Sequence, residues 1–196
     1  MAQYFTPVHK KKKTMQLPQL LQEHLHYPVL QLINANTGLP EDEAAFDAFG
    51  QAAIVTFLAG LYEATRAKEA ATLVNKQLDG KELLNTIFAD KDEVLKTIAA
   101  FTNQPINNVQ EKLLEVSTGY LAMIQLQTPS EGEIQKEDYL HNYMTAQRSE
   151  ILKYIPSHLK LGDLLNDEAL EDNTNKMQGP ISTLMHKIEN AFSSSD

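Results

Sequence analysis

From end to end, apolar residues recur three and four positions apart, and no stretch alternates apolar with polar residues between paired turn signals. A chain with that one period builds helices, so the expected fold class is all-α, a compact helical bundle. Its strongest stretch opens at Leu39-Pro40-Glu41-Asp42-Glu43, with proline and acids where a first turn favours them, and runs to about Thr65. Phe46, Phe49, Gly50, Ala53, Phe57, Gly60, Leu61 and Ala64 form one stripe, while Ile54, Val55 and Leu58 add apolar surface elsewhere. Such a helix belongs at the centre, and its small residues let neighbours approach closely. Further helices are predicted over 68–78, 81–88 and 92–101. A long one follows Pro105, facing inward through Ile106, Val109, Leu113, Val116, Tyr120 and Ile124, and another spans 136–154 with Tyr139, Leu140, Tyr143, Met144, Gln147 and Ile151 on one side.

Displaced by 65 residues, Ile33 to Pro40 falls on Ile98 to Pro105, matching Thr37 with Thr102, and the helices that follow align in register. This suggests two tandem copies, 15–66 and 80–128, of a unit built as short helix, short helix, Thr-x-x-Pro turn and long helix. The expected organisation is a basic N-terminal arm (1–14), a helical core (15–128), a polar linker (129–135) and a C-terminal helical extension (136–196). In the last of these, Gly179-Pro180 opens an amphipathic helix with Ile181, Leu184, Met185, Ile188 and Phe192 on one face.

Thr37-Gly38-Leu39-Pro40, the helix containing Leu58-Ala59-Gly60-Leu61, Leu83-Leu84 before Phe88, and the Thr102-to-Pro105 turn together resemble the bacterial domain-of-unknown-function family 937, which includes YidB-like proteins. The resemblance covers roughly residues 15–126, with fewer glycines than that family usually carries. It implies a small all-α bacterial domain with no established activity and no catalytic residues to transfer.

The chemistry points the same way. Having no cysteine, the chain cannot build thiolate metal sites, disulfides or a cysteine nucleophile. Neither a phosphate-binding glycine loop nor a Gly-x-Ser-x-Gly elbow nor an HExxH motif occurs. His24 and His26 are two apart and diverge on a helix; Glu137 and His141 have i, i+4 spacing but no companions, so a solvated pair explains them better than a metal does. No cofactor is expected. The reading is a non-enzymatic protein–protein interaction or scaffold module, whose partner is another protein or a second copy, with Ile181, Leu184, Met185, Ile188 and Phe192 as the candidate binding face.

Two other classes stay open. A helix-turn-helix over 81–101 would make it DNA-binding, although a net charge of −9 opposes nucleic acid. An enzyme would have to assemble its site from Tyr139, His141, Tyr143 and His158. Basic charge is concentrated at Lys10, Lys11, Lys12 and Lys13, a candidate contact for an anionic surface or peripheral membrane. The longest apolar run, 52–61, is half the length of a membrane span, and no signal peptide is recognisable, so the expected location is cytoplasmic.

Overall fold

The computed structural model describes residues 16–67, 72–73, 77–125 and 136–161, and among them the protein is helical as expected. Six helices are traced: α1 Leu17–His24, α2 Ala48–Arg66, α3 Gly80–Ile87, α4 Lys91–Thr102, α5 Ile106–Gln125 and α6 Lys136–Leu152, followed by a 3-10 turn, Ser157–Leu159. Helix α2 touches each of the other five. Every residue from Gly50 to Tyr62 is buried, because a helix apolar on all sides is stable only when surrounded. The others contribute one face each: Leu17 and Leu21 from α1, Leu83 and Leu84 from α3, Val94 and Ile98 from α4, Val109, Leu113 and Val116 from α5, and Met144 and Ile151 from α6.

Helix ends follow local chemistry. The Asp79 side chain accepts from the Glu82 amide at 2.7 Å while Glu82 accepts from the Asp79 amide at 3.0 Å, a reciprocal capping box that starts α3. Asp90 caps α4 through the Glu93 amide at 3.0 Å, and Asn103, in the left-handed region at φ 52°, ends it.

Gly60 lies where α2 meets the residue ending α3: a Cβ there would run into the Phe88 ring, itself buried. Gly60→Val should therefore destabilise the protein by about 1–3 kcal/mol through overpacking, measured as a lower urea midpoint. Phe88→Leu in the same chain should recover part of the loss, and an unchanged midpoint in the single variant would refute the close approach.

Three expectations need correction. The central helix begins at Ala48, not at Pro40. Asp47 caps it by accepting from the Gly50 amide at 3.0 Å, whereas Asp42 accepts from the Ala44 and Ala45 amides at 3.1 and 3.2 Å and holds that acidic stretch in a turn. Ile106, expected to face inward, is 46% exposed at the first position of α5. The two proposed units also differ: residues 80–125 carry two short helices, a turn and a long helix, but 25–47 contain no helix, so only α1 precedes the first turn. Both turns place a left-handed residue directly after the threonine, Gly38 at φ 68° and Asn103 at φ 52°. Of the helix expected over 68–78, residues 72–73 are helical and 77–78 are not; the rest lies outside the described residues.

Candidate interaction surface

The segment between α1 and α2 is a small hairpin held from below. Its first arm is clamped by the buried Gln51 of α2, whose Oε1 accepts from the Gln31 amide at 2.7 Å and whose Nε2 donates to the carbonyls of Gln31 and Tyr154, both at 2.8 Å. The Ile33 amide donates to the Lys153 carbonyl at 2.8 Å, fastening the same arm to the end of α6. The second arm returns antiparallel, with Ile33 opposite Pro40, flanked by hydrogen bonds from Asn34 to Leu39 and from Glu41 to Leu32.

The turn between the arms is set by its own residues. Asn34 Oδ1 accepts from the Asn36 amide at 2.8 Å, and the Asn34 carbonyl accepts from the Gly38 amide at 2.8 Å. At φ 68°, Gly38 occupies a region that costs glycine little, and a Cβ there would also strike the Ser157 side chain. Ser157 in turn donates to the Gly38 carbonyl at 3.4 Å, closing the hairpin against the 3-10 turn.

Pleating decides what the hairpin shows to solvent. Ile33 points inward and is 8% exposed, while Leu32 and Leu39 stand on the opposite side, 40% and 43% exposed, as diagonal neighbours. Beyond Leu39 come the exposed acids Glu41, Asp42 and Glu43. The result is an outward apolar patch on a backbone fixed by α2, α6 and the 3-10 turn, bordered by negative charge.

At the base of the hairpin, Lys112 of α5 lies 4.3 Å from the Tyr27 ring centroid and 5.6 Å from that of Phe49, with its ammonium 3.0 Å from Glu115. Burial holds the Tyr27 hydroxyl above the ordinary phenol range. This cluster ties α5 to both ends of the connecting segment.

Of the residues weighed for catalysis, His158 is placed apart from the other three. Tyr139 and Tyr143 stack with centroids 6.4 Å apart, and His141 Nδ1 lies 3.2 Å from the Thr65 carbonyl, all at the end of α2 remote from the hairpin. His158 is exposed beside the hairpin turn, its Nδ1 3.3 Å from Ser157 Oγ. Thr65 pairs with one end of α6 and Gln51 with the other, so the two histidines are separated by about 20 Å at 1.5 Å per helical residue. Burial, with Tyr139 adding to it, raises the Tyr143 hydroxyl, and burial beside Tyr143 raises that of Tyr120, which keeps both phenols protonated at neutral pH. His24 ends α1 and His26 follows it in the left-handed region, both exposed. The side chain of Glu137 lies outside the described residues, as do Lys10, Lys11, Lys12 and Lys13 and the proposed face Ile181, Leu184, Met185, Ile188 and Phe192.

In the helix pair considered for DNA, Lys91 donates to Asn85 Oδ1 at 2.9 Å and Lys96 lies 3.7 Å from Glu93, so these cations are engaged within the chain. Among the described residues no three histidine, aspartate or glutamate side chains converge on a metal-sized site, and no helix is long and apolar enough to cross a membrane.

No protein-family model matches the chain, and no curated protein or solved structure matches it either. The resemblance to family 937 therefore rests on the residues quoted for it. The hairpin itself escaped the sequence reading, although Asn34, Asn36 and Gly38 between Leu32-Ile33 and Leu39-Pro40 supply a turn signal of the right kind.

Proposed function

We propose that the protein is a non-enzymatic helical module that works by binding another protein through apolar surfaces on a rigid core, and that it does so in the cytoplasm. One observation carries this reading: Leu32 and Leu39 share an outward face on a hairpin that the buried Gln51 side chain of α2 and the Lys153 carbonyl just after α6 hold in place. Ordering such a face costs little on binding, because its backbone is already fixed. Most of the buried polar side chains support the reading, since, with the exception of the unpartnered Thr56 hydroxyl, they are spent on the chain's own backbone: Gln51 on Gln31 and Tyr154, Ser117 on Gly80 and Leu114, Ser157 on Gly38, Thr65 on Tyr62. The amphipathic segment 181–192 supplies a second apolar surface in this scheme, and the family resemblance, which brings no activity of its own, is compatible with it.

The paired variant Leu32→Asp with Leu39→Asp tests the reading. Both side chains are substantially exposed, so each substitution should change stability by no more than about 0.5 kcal/mol. Proteins that co-purify specifically with the wild-type chain from its native host should be lost from the variant, as quantified by mass spectrometry. Equal recovery by both chains would refute the hairpin as the binding face.

A further inference from the structure

Building on the binding role proposed above, we infer that the hairpin selects a basic segment of another protein by side chains alone: a lysine or arginine lays its stem across Leu32 and Leu39 and sets its charged head on Glu41. Ile33 and Pro40 form a pair with no hydrogen bond between them, so Leu32 stands directly across from Glu41 and Asn34 across from Leu39. Those four residues are exposed, whereas Ile33 is buried and Pro40 half-buried. The outward face therefore carries two leucines on one diagonal, with Glu41 beside both. Directly opposed side chains on one face start about 5 Å apart, within the span of a single lysine or arginine. Such a side chain buries its methylene stem on apolar surface and keeps its head at the polar margin.

Strand addition, the other way an extended segment could dock, is blocked at both edges. Along the first arm the Gln31 amide and carbonyl are taken by Gln51, and the Ile33 amide by the Lys153 carbonyl. On the second arm Gly38 gives its carbonyl to Ser157, and Pro40 has no amide hydrogen to offer. Asp42, whose side chain accepts from the Ala44 and Ala45 amides, then turns the chain away. Recognition is left to side chains, and their charge is negative. Glu41 and Glu43 make no side-chain hydrogen bond or ion pair among the described residues, and Lys153, whose carbonyl anchors the hairpin, holds its own ammonium 2.7 Å from Glu150. The whole chain carries a net charge of −9, which draws basic partners toward it and disfavours a second copy.

The probe is a random peptide library displayed on phage, panned against the immobilised full-length protein with the Leu32→Asp, Leu39→Asp variant as counter-selection. Peptides that need the two leucines should carry a lysine or arginine next to an apolar residue. Made synthetically, they should bind Glu41→Lys at least about tenfold more weakly than the wild type, as expected when like charges are set face to face. Panned in its turn, Glu41→Lys should enrich acidic peptides, and because Glu41 is exposed its circular dichroism and melting should match the wild type. Leucine-dependent peptides that are neutral or acidic, or basic ones that bind Glu41→Lys as well as the wild type, would overturn the inference while leaving the hairpin as a binding face. So would protection of alternate amides along a bound peptide, the mark of an added strand. Replacing Lys10, Lys11, Lys12 and Lys13 together by serine should leave peptide affinity unchanged; a gain would assign the face to the chain's own arm and overturn the inference. Failure to enrich any leucine-dependent peptide would overturn it too, and would count against the face itself. The co-purification test uses the natural partner instead, so the two can fail separately.

Discussion

Gln51→Leu should destabilise the protein by about 3–5 kcal/mol, although it replaces a buried polar side chain with an apolar one of similar size. Gln51 is 2% exposed, accepts from the Gln31 amide and donates to the Gln31 and Tyr154 carbonyls. Leucine leaves three backbone groups without partners, each costing about 1–3 kcal/mol when water cannot reach it, and Gln31, being half-buried, recovers part of its share from solvent. Against a typical total of about 5–15 kcal/mol the loss is large. The urea midpoint measures it, and exchange of the Gln31 and Ile33 amides should accelerate more than that of amides in α5, because the hairpin loses its clamp first. Gln51→Glu separates hydrogen bonding from packing. A carboxylate keeps the acceptor but turns both donor positions into contacts between oxygens, so its pKa in the folded state is raised. A group raised on folding favours the native state below its unfolded value and loses that contribution as pH rises, so this variant should be stabilised relative to Gln51→Leu by acid. A penalty below about 1 kcal/mol for Gln51→Leu would mean that the clamp does not hold the hairpin.

That clamp also marks the boundary of what the residues disclose locally. α3, α4 and α5 are readable because their limits are written nearby: Asp79 and Glu82 cap each other, Asp90 caps α4, and Asn103 to Pro105 interrupts the chain. The burial of α2 follows from its composition alone. Its start does not. Pro40 followed by three acids satisfies every local rule for a first turn, yet Ile33 and Pro40 pair across the hairpin, and that pairing is anchored by Gln51 and Lys153, residues 18 and 120 positions away from Ile33. Long-range hydrogen bonds of this kind leave no periodic trace. The same holds for the surface. The stripe of segment 181–192 announces itself by spacing, whereas Leu32 and Leu39 become one face only once the two arms are paired, and His158 joins Tyr139, His141 and Tyr143 as a cluster only until the length of α6 separates it from them.

Phe57→Ala is the strictest test of α2 as the centre of the fold. Phe57 has no exposed surface, and its ring meets that of Tyr120 on α5 with centroids 5.2 Å apart and planes inclined at 59°. Truncation removes the transfer free energy of the ring and leaves a cavity that five surrounding helices cannot all move to fill, so the cost should be about 3–5 kcal/mol. For a chain of this size that corresponds to a fall of roughly 6–20 °C in the thermal midpoint. Phe57→Leu, which keeps much of the volume, should cost less than Phe57→Ala. Pairing Phe57→Ala with Tyr120→Leu in a double-mutant cycle isolates the ring contact, expected at about 0.5–1.5 kcal/mol beyond the area buried. If Phe57→Ala lowered stability no more than an alanine at an exposed site on α5, the surrounding helices would have to close over α2 without a rigid centre. The hairpin would then lose the fixed support on which the proposed binding role of its apolar face depends.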